Sequence, residues 1–446
     1  MSLARRWLDP IRSSWQLEQR IRMNGPRTFR RGPLTVYLRL DDAYSYIAVQ
    51  ILMQLSDLVI EQYQQIKVVI CTQPPADYPN DLSAAQWLRY SLRDVGVLAE
   101  QHRFIFQPNS HPPDAALMLK GLDVLRLSPL IGRDYLHLLQ NVFHMLWQRQ
   151  TAKLDTLYQM AQHRLQQQAK LSLEQQQVVS VLSDGRIRDQ PLLAADIEFD
   201  HKHYRAIDDL LRLTRHLKRA GMLTSEPVLL INHVEWQEHL VSDPFSLADI
   251  QALQADLHVY IALEDPMSWL ILSYLYNDMI DYYNVRLHVH PIAYRQRDRF
   301  DWAQAARLSR RVDVDFGPFC RPDEKATQVM AQILYATPPE QRLAQALALF
   351  KGVWTEGLDP SVPRHLRRML GDEWMAQQWP EIRESQDQTM VWLAENEQAL
   401  QRLALPDLPA MALTIDEQTH AFCGLYRVWQ IETLLTDSLE LSEDSA

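Results

Sequence analysis

Sulfur and glycine are scarce in this chain, and each shortage excludes a chemistry. The three cysteines, Cys71, Cys320 and Cys423, form no C-x-x-C pair, so no adjacent dithiol is present to exchange disulfides. An odd, unpaired set in a chain without an export signal reads as reduced thiols. Cys71 and Cys423 fit small buried hydrophobes, while Cys320 lies in a Gly-Pro-Phe-Cys-Arg-Pro loop beside Arg321. Only 12 of 446 residues are glycine, against roughly 7% in average sequences. That favours helix, leaves no glycine-rich phosphate loop, and excludes Rossmann and Walker elements. No apolar run reaches transmembrane length, and the start of the chain lacks the apolar core of a signal peptide. A soluble, cytoplasmic protein is expected.

The apolar content of 47% is enough to bury a sizeable core, and 446 residues suggest two or three domains. A formal net charge of −11 argues against a general nucleic-acid binder, because the phosphate backbone dominates such affinity. The exception is local. Residues 1–33 hold eight arginines against Asp9 and Glu18, with Trp7, Leu8, Ile11, Trp15 and Ile21 spaced to form an apolar side. Pro10 and Pro26 keep any helix there short, so an arm packing its aromatics onto an acidic body is preferred to an interfacial membrane helix.

One segment occurs twice. Val36-Tyr-Leu-Arg-Leu-Asp-Asp-Ala-Tyr-Ser-Tyr46 returns as Val259-Tyr-Ile-Ala-Leu-Glu-Asp-Pro-Met-Ser-Trp269, displaced throughout by 223 residues, from 36 to 259. Each copy runs from an alternating apolar strand through an acidic pair into a helical apolar pattern: Ile47, Ile51, Leu52 and Leu55 in one, Leu270, Leu272, Leu275 and Ile280 in the other. A strand meeting a helix through Asp-x-x-Ser is a junction able to carry a site.

This junction resembles the active-site element of the DsbA-like branch of the thioredoxin superfamily. That branch includes disulfide oxidoreductases, 2-hydroxychromene-2-carboxylate isomerase and kappa-class glutathione transferases. Asp265-Pro-Met-Ser-Trp269 is similar to the Ser-Pro-x-Ser-Tyr/Trp form of the latter two. Further along, His290-Pro291 ends the next strand, and Phe350-Lys-Gly-Val-Trp-Thr-Glu-Gly-Leu-Asp359 is similar to their Phe-x-Ala-x-Trp-x-Glu-Gly-x-Asp stretch. Leu408-Pro409 stands where the family carries a cis-proline before its third strand, and Phe422-x-Gly-x-x-Arg427 leads into the last helix. The first half follows more loosely. Phe143-x-x-x-Trp147 parallels Phe350-x-x-x-Trp354, Glu226-Pro227 with Val228-Leu229-Leu230 is the candidate cis-proline and third strand, and Trp236 follows the hairpin.

The resemblance implies an α/β fold of two tandem DsbA-type thioredoxin-like domains, each with a helical insertion. The expected layout is a basic arm over 1–33, a degenerate domain over 34–250 with a Gln-rich insertion around 160–200, a second domain over 256–436, and an acidic tail over 437–446. A pseudo-dimer of the two domains is expected, since related proteins often pair two such subunits.

The nucleophile positions decide the chemistry. A thiolate is needed for exchange, and the first positions here are Asp42 and Asp265, the fourth Ser45 and Ser268. An ionised carboxylate beside a bound thiol would raise that thiol's pKa, which opposes glutathione activation. Aspartate is also a favoured N-cap, and Pro266 suits the first helical position. Asp42, Ser45, Asp265 and Ser268 are therefore the catalytic candidates, weighed against a capping role. The carboxylates could act as general acid or base, each beside a second acid, Asp41 or Glu264. Tyr46, Trp269, Leu408, Pro409 and Pro227 are the substrate-binding candidates, and Tyr44 could join the same aromatic lining. His288 and His290 share a strand face, and His201, His203 and Tyr204 cluster near Asp200, but neither set supplies an assignable metal site.

Two functions are expected. One is an isomerase or transferase of the resembled type, with glutathione as a possible cofactor and a small-molecule substrate. The other is a non-catalytic thioredoxin-like protein that binds a peptide near the cis-proline loops or acts as a scaffold.

Overall fold

The computed structural model describes residues 34–443 apart from 60–65, 80–81, 108–110, 129, 131, 169–186, 224–253, 281–282, 295–301 and 311. The described residues fall into two compact units, one within 26–234 and one within 235–446.

In the first unit, β1 (Leu34–Leu38) alternates buried and half-buried residues and runs parallel to β2 (Ile66–Gln73), with Val36 opposite Val68. Between them lies α1 (Ala43–Leu58), which turns Ile47, Ile51, Leu52 and Leu55 into the core. Fully burying each such side chain contributes about 1.5–3 kcal/mol. Helices α2 (Ala84–His102), α3 (Ala115–Leu127), α4 (Gly132–Trp147) and α5 (Thr151–Gln168) follow, α2 opening on a Ser83/Gln86 capping box. The chain then returns to the sheet as β3 (Ile187–Pro191), β4 (Asp196–Phe199) and β5 (Lys202–Arg205), and closes with α6 (Leu210–Arg219). The sheet order is β3-β2-β1-β4-β5, with β4 antiparallel to β1 and β5 antiparallel to β4.

The second unit repeats the plan. Strand β6 (Ala255–Ala262), α7 (Pro266–Tyr274) continuing as a π-helical segment over Leu275–Ile280, and β7 (Arg286–Ile292) form the parallel half. The insertion holds α8 (Trp302–Ser309), α9 (Glu324–Ala336), α10 (Arg342–Trp354), α11 (Pro363–Leu370), α12 (Asp372–Glu384) and α13 (Gln386–Leu403). The hairpin β8 (Ala410–Ile415) and β9 (Gln418–Cys423) and the helix α14 (Val428–Glu443) complete it, with sheet order β7-β6-β8-β9. A βαβ unit, a helical insertion and an antiparallel hairpin followed by a helix define a DsbA-type thioredoxin-like domain, here present twice. Most of the acidic segment 437–446 is the end of α14.

The place beside β1 is taken by β4, and the expected third strand Val228–Leu230, with Pro227 and Trp236, lies outside the described residues. Strands β4 and β5 bury only alternate residues, Ile197, Phe199 and Tyr204, between charges, a weaker sequence signal than the apolar run 228–231. The two hairpins are nonetheless alike. Asp200-His201 and Asp416-Glu417 both turn with positive φ at two successive residues (52° and 58°, 49° and 65°), the pattern of a two-residue I′ turn. The edge strand β3, parallel to β2, has no counterpart among the described residues of the second unit and falls where only a Gln-rich insertion was expected.

Candidate functional site

Registers make the two junctions directly comparable. Tyr37 lies opposite Asp196, and Tyr260, its equivalent at the 223-residue displacement, lies opposite Ala410. Ala195 therefore occupies the place of Pro409, whose peptide bond with Leu408 is cis. The hydrogen bonds agree: the Ala206 N–H donates to the Ala195 carbonyl (3.3 Å) as the Gly424 N–H does to that of Pro409 (2.8 Å).

At the first junction Asp42 caps α1 from extended backbone, accepting the Ser45 N–H at 2.8 Å and the Ser45 hydroxyl at 2.6 Å. That hydroxyl accepts the Arg39 N–H at the end of β1 (3.0 Å), so both sides of Ser45 Oγ are engaged inward. At the second junction the Ala262 N–H donates to Ser268 Oγ (3.1 Å), and Asp265 caps α7 by accepting the Met267 N–H (2.9 Å). The backbone turn repeats too: Asp42 N–H to Arg39 O at 3.3 Å, Asp265 N–H to Ala262 O at 3.1 Å. Both serines are completely buried, as are both aspartates but for a few per cent of their surface. Burial pushes the Asp42 carboxyl up to about 6, against the opposing pull of the Ser45 hydrogen bonds and the Arg39 charge.

The junctions differ around this shared frame. In the first, the Arg39 guanidinium forks onto Asp41 (2.8 and 3.1 Å) and reaches across to the Leu192 carbonyl (2.6 Å), tying the loop before β4 to the helix start. Alanine stands at the equivalent of Arg39 in the second copy, and Glu264, buried, at that of Asp41. There the loop before β8 satisfies itself. The Leu408 N–H donates to Asp407 Oδ1 (2.9 Å), and the Cys423 thiol donates to the Asp407 carbonyl (3.1 Å).

The residues expected to bind substrate, Pro227 apart because it lies outside the described residues, are placed in the interior. Tyr46 stacks on Phe143 and Trp147, with its phenol 3.1 Å from His144 Nδ1, and Trp147 donates to the Leu40 carbonyl (3.0 Å). Leu408 and Pro409 are buried beside β8; of Asp265 through Trp269, Met267 alone is not buried. The Trp269 indole N–H donates to the Asp315 carbonyl (3.0 Å), and its ring lines a cavity of about 380 Å³. Tyr44 is turned to Asp94 (2.7 Å).

Other candidates serve the framework. The Tyr204 hydroxyl meets His216 Nδ1 at 2.5 Å, His203 pairs with Asp196, and His201 occupies the I′ turn. Among the described residues no group of three His, Cys, Asp or Glu side chains could hold a metal ion, and no helix is long and apolar enough to cross a membrane. Sequence reading missed the Arg39 fork, Ala195 and the cavity beside Trp269. Arg39 alone left a signal, as an arginine within an otherwise apolar run.

No family model matches the chain, and no curated protein matches it. Among solved structures it is similar to the cytosolic disulfide reductase DsbM from Pseudomonas aeruginosa, at 13% identity over 42% of this chain and 99% of that one, with a TM-score of 0.33. It is similar to 2-hydroxychromene-2-carboxylate isomerase, at 13% identity over 43% and 99% of the chains, with a TM-score of 0.35. DsbM with GSH matches at 12% identity over 42% and 99%, with a TM-score of 0.31. The thioredoxin-like assignment rests on the topology described above.

Proposed function

We propose that this protein is a non-catalytic member of the DsbA-like thioredoxin class, a scaffold of two domains over 34–250 and 256–436 in which both former active-site junctions have become structural. The observation that carries this reading is the fate of Ser45 and Ser268. Each hydroxyl is buried and accepts the N–H that ends its strand, so it is not presented to a ligand's sulfur. The aspartates point the same way, because a buried carboxylate at a helix start opposes a neighbouring thiolate. The Asp407 contact to the Leu408 N–H also occupies a backbone group through which an extended ligand would pair beside Pro409.

A second reading, a glutathione-dependent isomerase or transferase, is favoured by one feature of the second domain, the cis Leu408-Pro409 bond kept immediately before β8. Calorimetric titration with reduced glutathione and S-hexylglutathione separates the two. The scaffold reading predicts no binding that depends on Ser268 up to millimolar ligand. Saturable binding that Ser268→Ala weakens would establish the second reading instead.

A further inference from the structure

The cavity beside Trp269 is built from three parts of the second unit. Trp269, Ser273 and Tyr276 project from one face of α7 and its π-helical continuation, Asp313 and Asp315 come from the loop after α8, and Lys351 from α10. A volume of about 380 Å³ suits a small organic molecule.

Separate features set this wall apart from ordinary surface. A π-helical segment is rare, and such segments occur frequently at functional sites. Ser273 is 4% exposed and its hydroxyl has no hydrogen-bond partner, an unsatisfied buried group that calls for an explanation. The loop opposite is held in place. Asp313 has positive φ (48°), the Val314 N–H donates to the Ser309 carbonyl (2.9 Å), and the Asp315 carbonyl takes the Trp269 indole.

The charges choose the ligand. Asp313 and Asp315 are exposed and have no cationic partner among the described residues, and Lys351, also exposed, has no acidic one. Two carboxylates in one lining with Trp269 and the half-exposed Tyr276 suit an ammonium group, and Lys351 suits a carboxylate. We propose that this cavity binds a small zwitterion of the α-amino-acid class, its ammonium toward Asp313 and Asp315, its carboxylate toward Lys351, and a polar atom reaching the Ser273 hydroxyl. The proposal does not rest on the scaffold reading.

The test is calorimetric titration of the full chain with glycine, L-leucine, L-phenylalanine and L-glutamate, and with the amine and N-acetyl counterpart of whichever binds. At least one amino acid is expected to saturate, both counterparts to bind at least tenfold more weakly, and Lys351→Gln and Ser273→Leu to reduce affinity tenfold or more. Lys351 is exposed, so its replacement should leave the fold intact. Absence of saturation by all four would overturn the proposal, as would an amine binding as tightly as its amino acid, or binding indifferent to both cavity substitutions.

Discussion

Asp42 carries the scaffold proposal at the scale of one residue. Its capping role is legible in the Asp-x-x-Ser spacing, because the capping carboxylate and its donor lie three residues apart. The second half of the device is not, since Ser45 takes its hydrogen bond from Arg39, six residues back across the strand end, where no local period points. With its folded-state pKa raised to about 6 from an ordinary 3.8, Asp42 holds its proton more tightly in the folded chain. Its contribution to stability is therefore complete below about pH 3.8 and is lost as pH rises through 6. Asp42→Asn keeps an N-cap oxygen and removes this titration. Urea unfolding should show the variant gaining on the parent between pH 4 and pH 8, by an amount on the order of 1–3 kcal/mol. A constant difference across that range would mean that the carboxyl is not shielded as described.

Element packing explains the histidines of the second sheet. That His288 and His290 share a face of β7 follows from strand alternation, but their partner was hidden, because sequence does not give the register that sets His258 of β6 against them. The Asn396 amide donates to the Pro291 carbonyl (2.9 Å), so its oxygen accepts from His290 Nδ1 (3.3 Å). His290 Nε2 is then left to accept from His258 Nδ1 at 2.9 Å. His290 is thereby held neutral, and His258 stacks on each neighbour, 4.7 Å from His288 and 5.1 Å from His290. Burial, then the nearby His258 charge, lowers His290 to about 4, and burial lowers His258 too. For a depressed histidine the unfolded chain binds the extra proton, so stability is full above about pH 6.5 and falls as pH drops toward 4. Replacing His290 with Gln should flatten that fall relative to the parent in unfolding curves taken at pH 7, 5.5 and 4.5. An unchanged slope would remove His290 from the account.

At the scale of the whole molecule, the two domains were legible and the extent of the first was not. The junction copies keep one displacement and much of one chemistry, so β1, α1, β6 and α7 could be placed from residues alone. The first hairpin escaped because its strands are four residues long and bury only alternate side chains, while a more apolar run at 228–231 competed for the role. Ala195 at the place of Pro409 removed the marker that would have located it. The residue types at the junctions also left capping and catalysis open, and burial and hydrogen-bond direction, which are tertiary properties, favour capping. The account's central claim is that Ser45 and Ser268 are one structural device present twice. Its most direct test is equilibrium unfolding of Ser45→Ala and Ser268→Ala in the full chain. Each should cost about 1–3 kcal/mol, the penalty for leaving a buried strand-end N–H without its acceptor. Two variants as stable as the parent would contradict the claim, since the hydroxyls would then be free for chemistry.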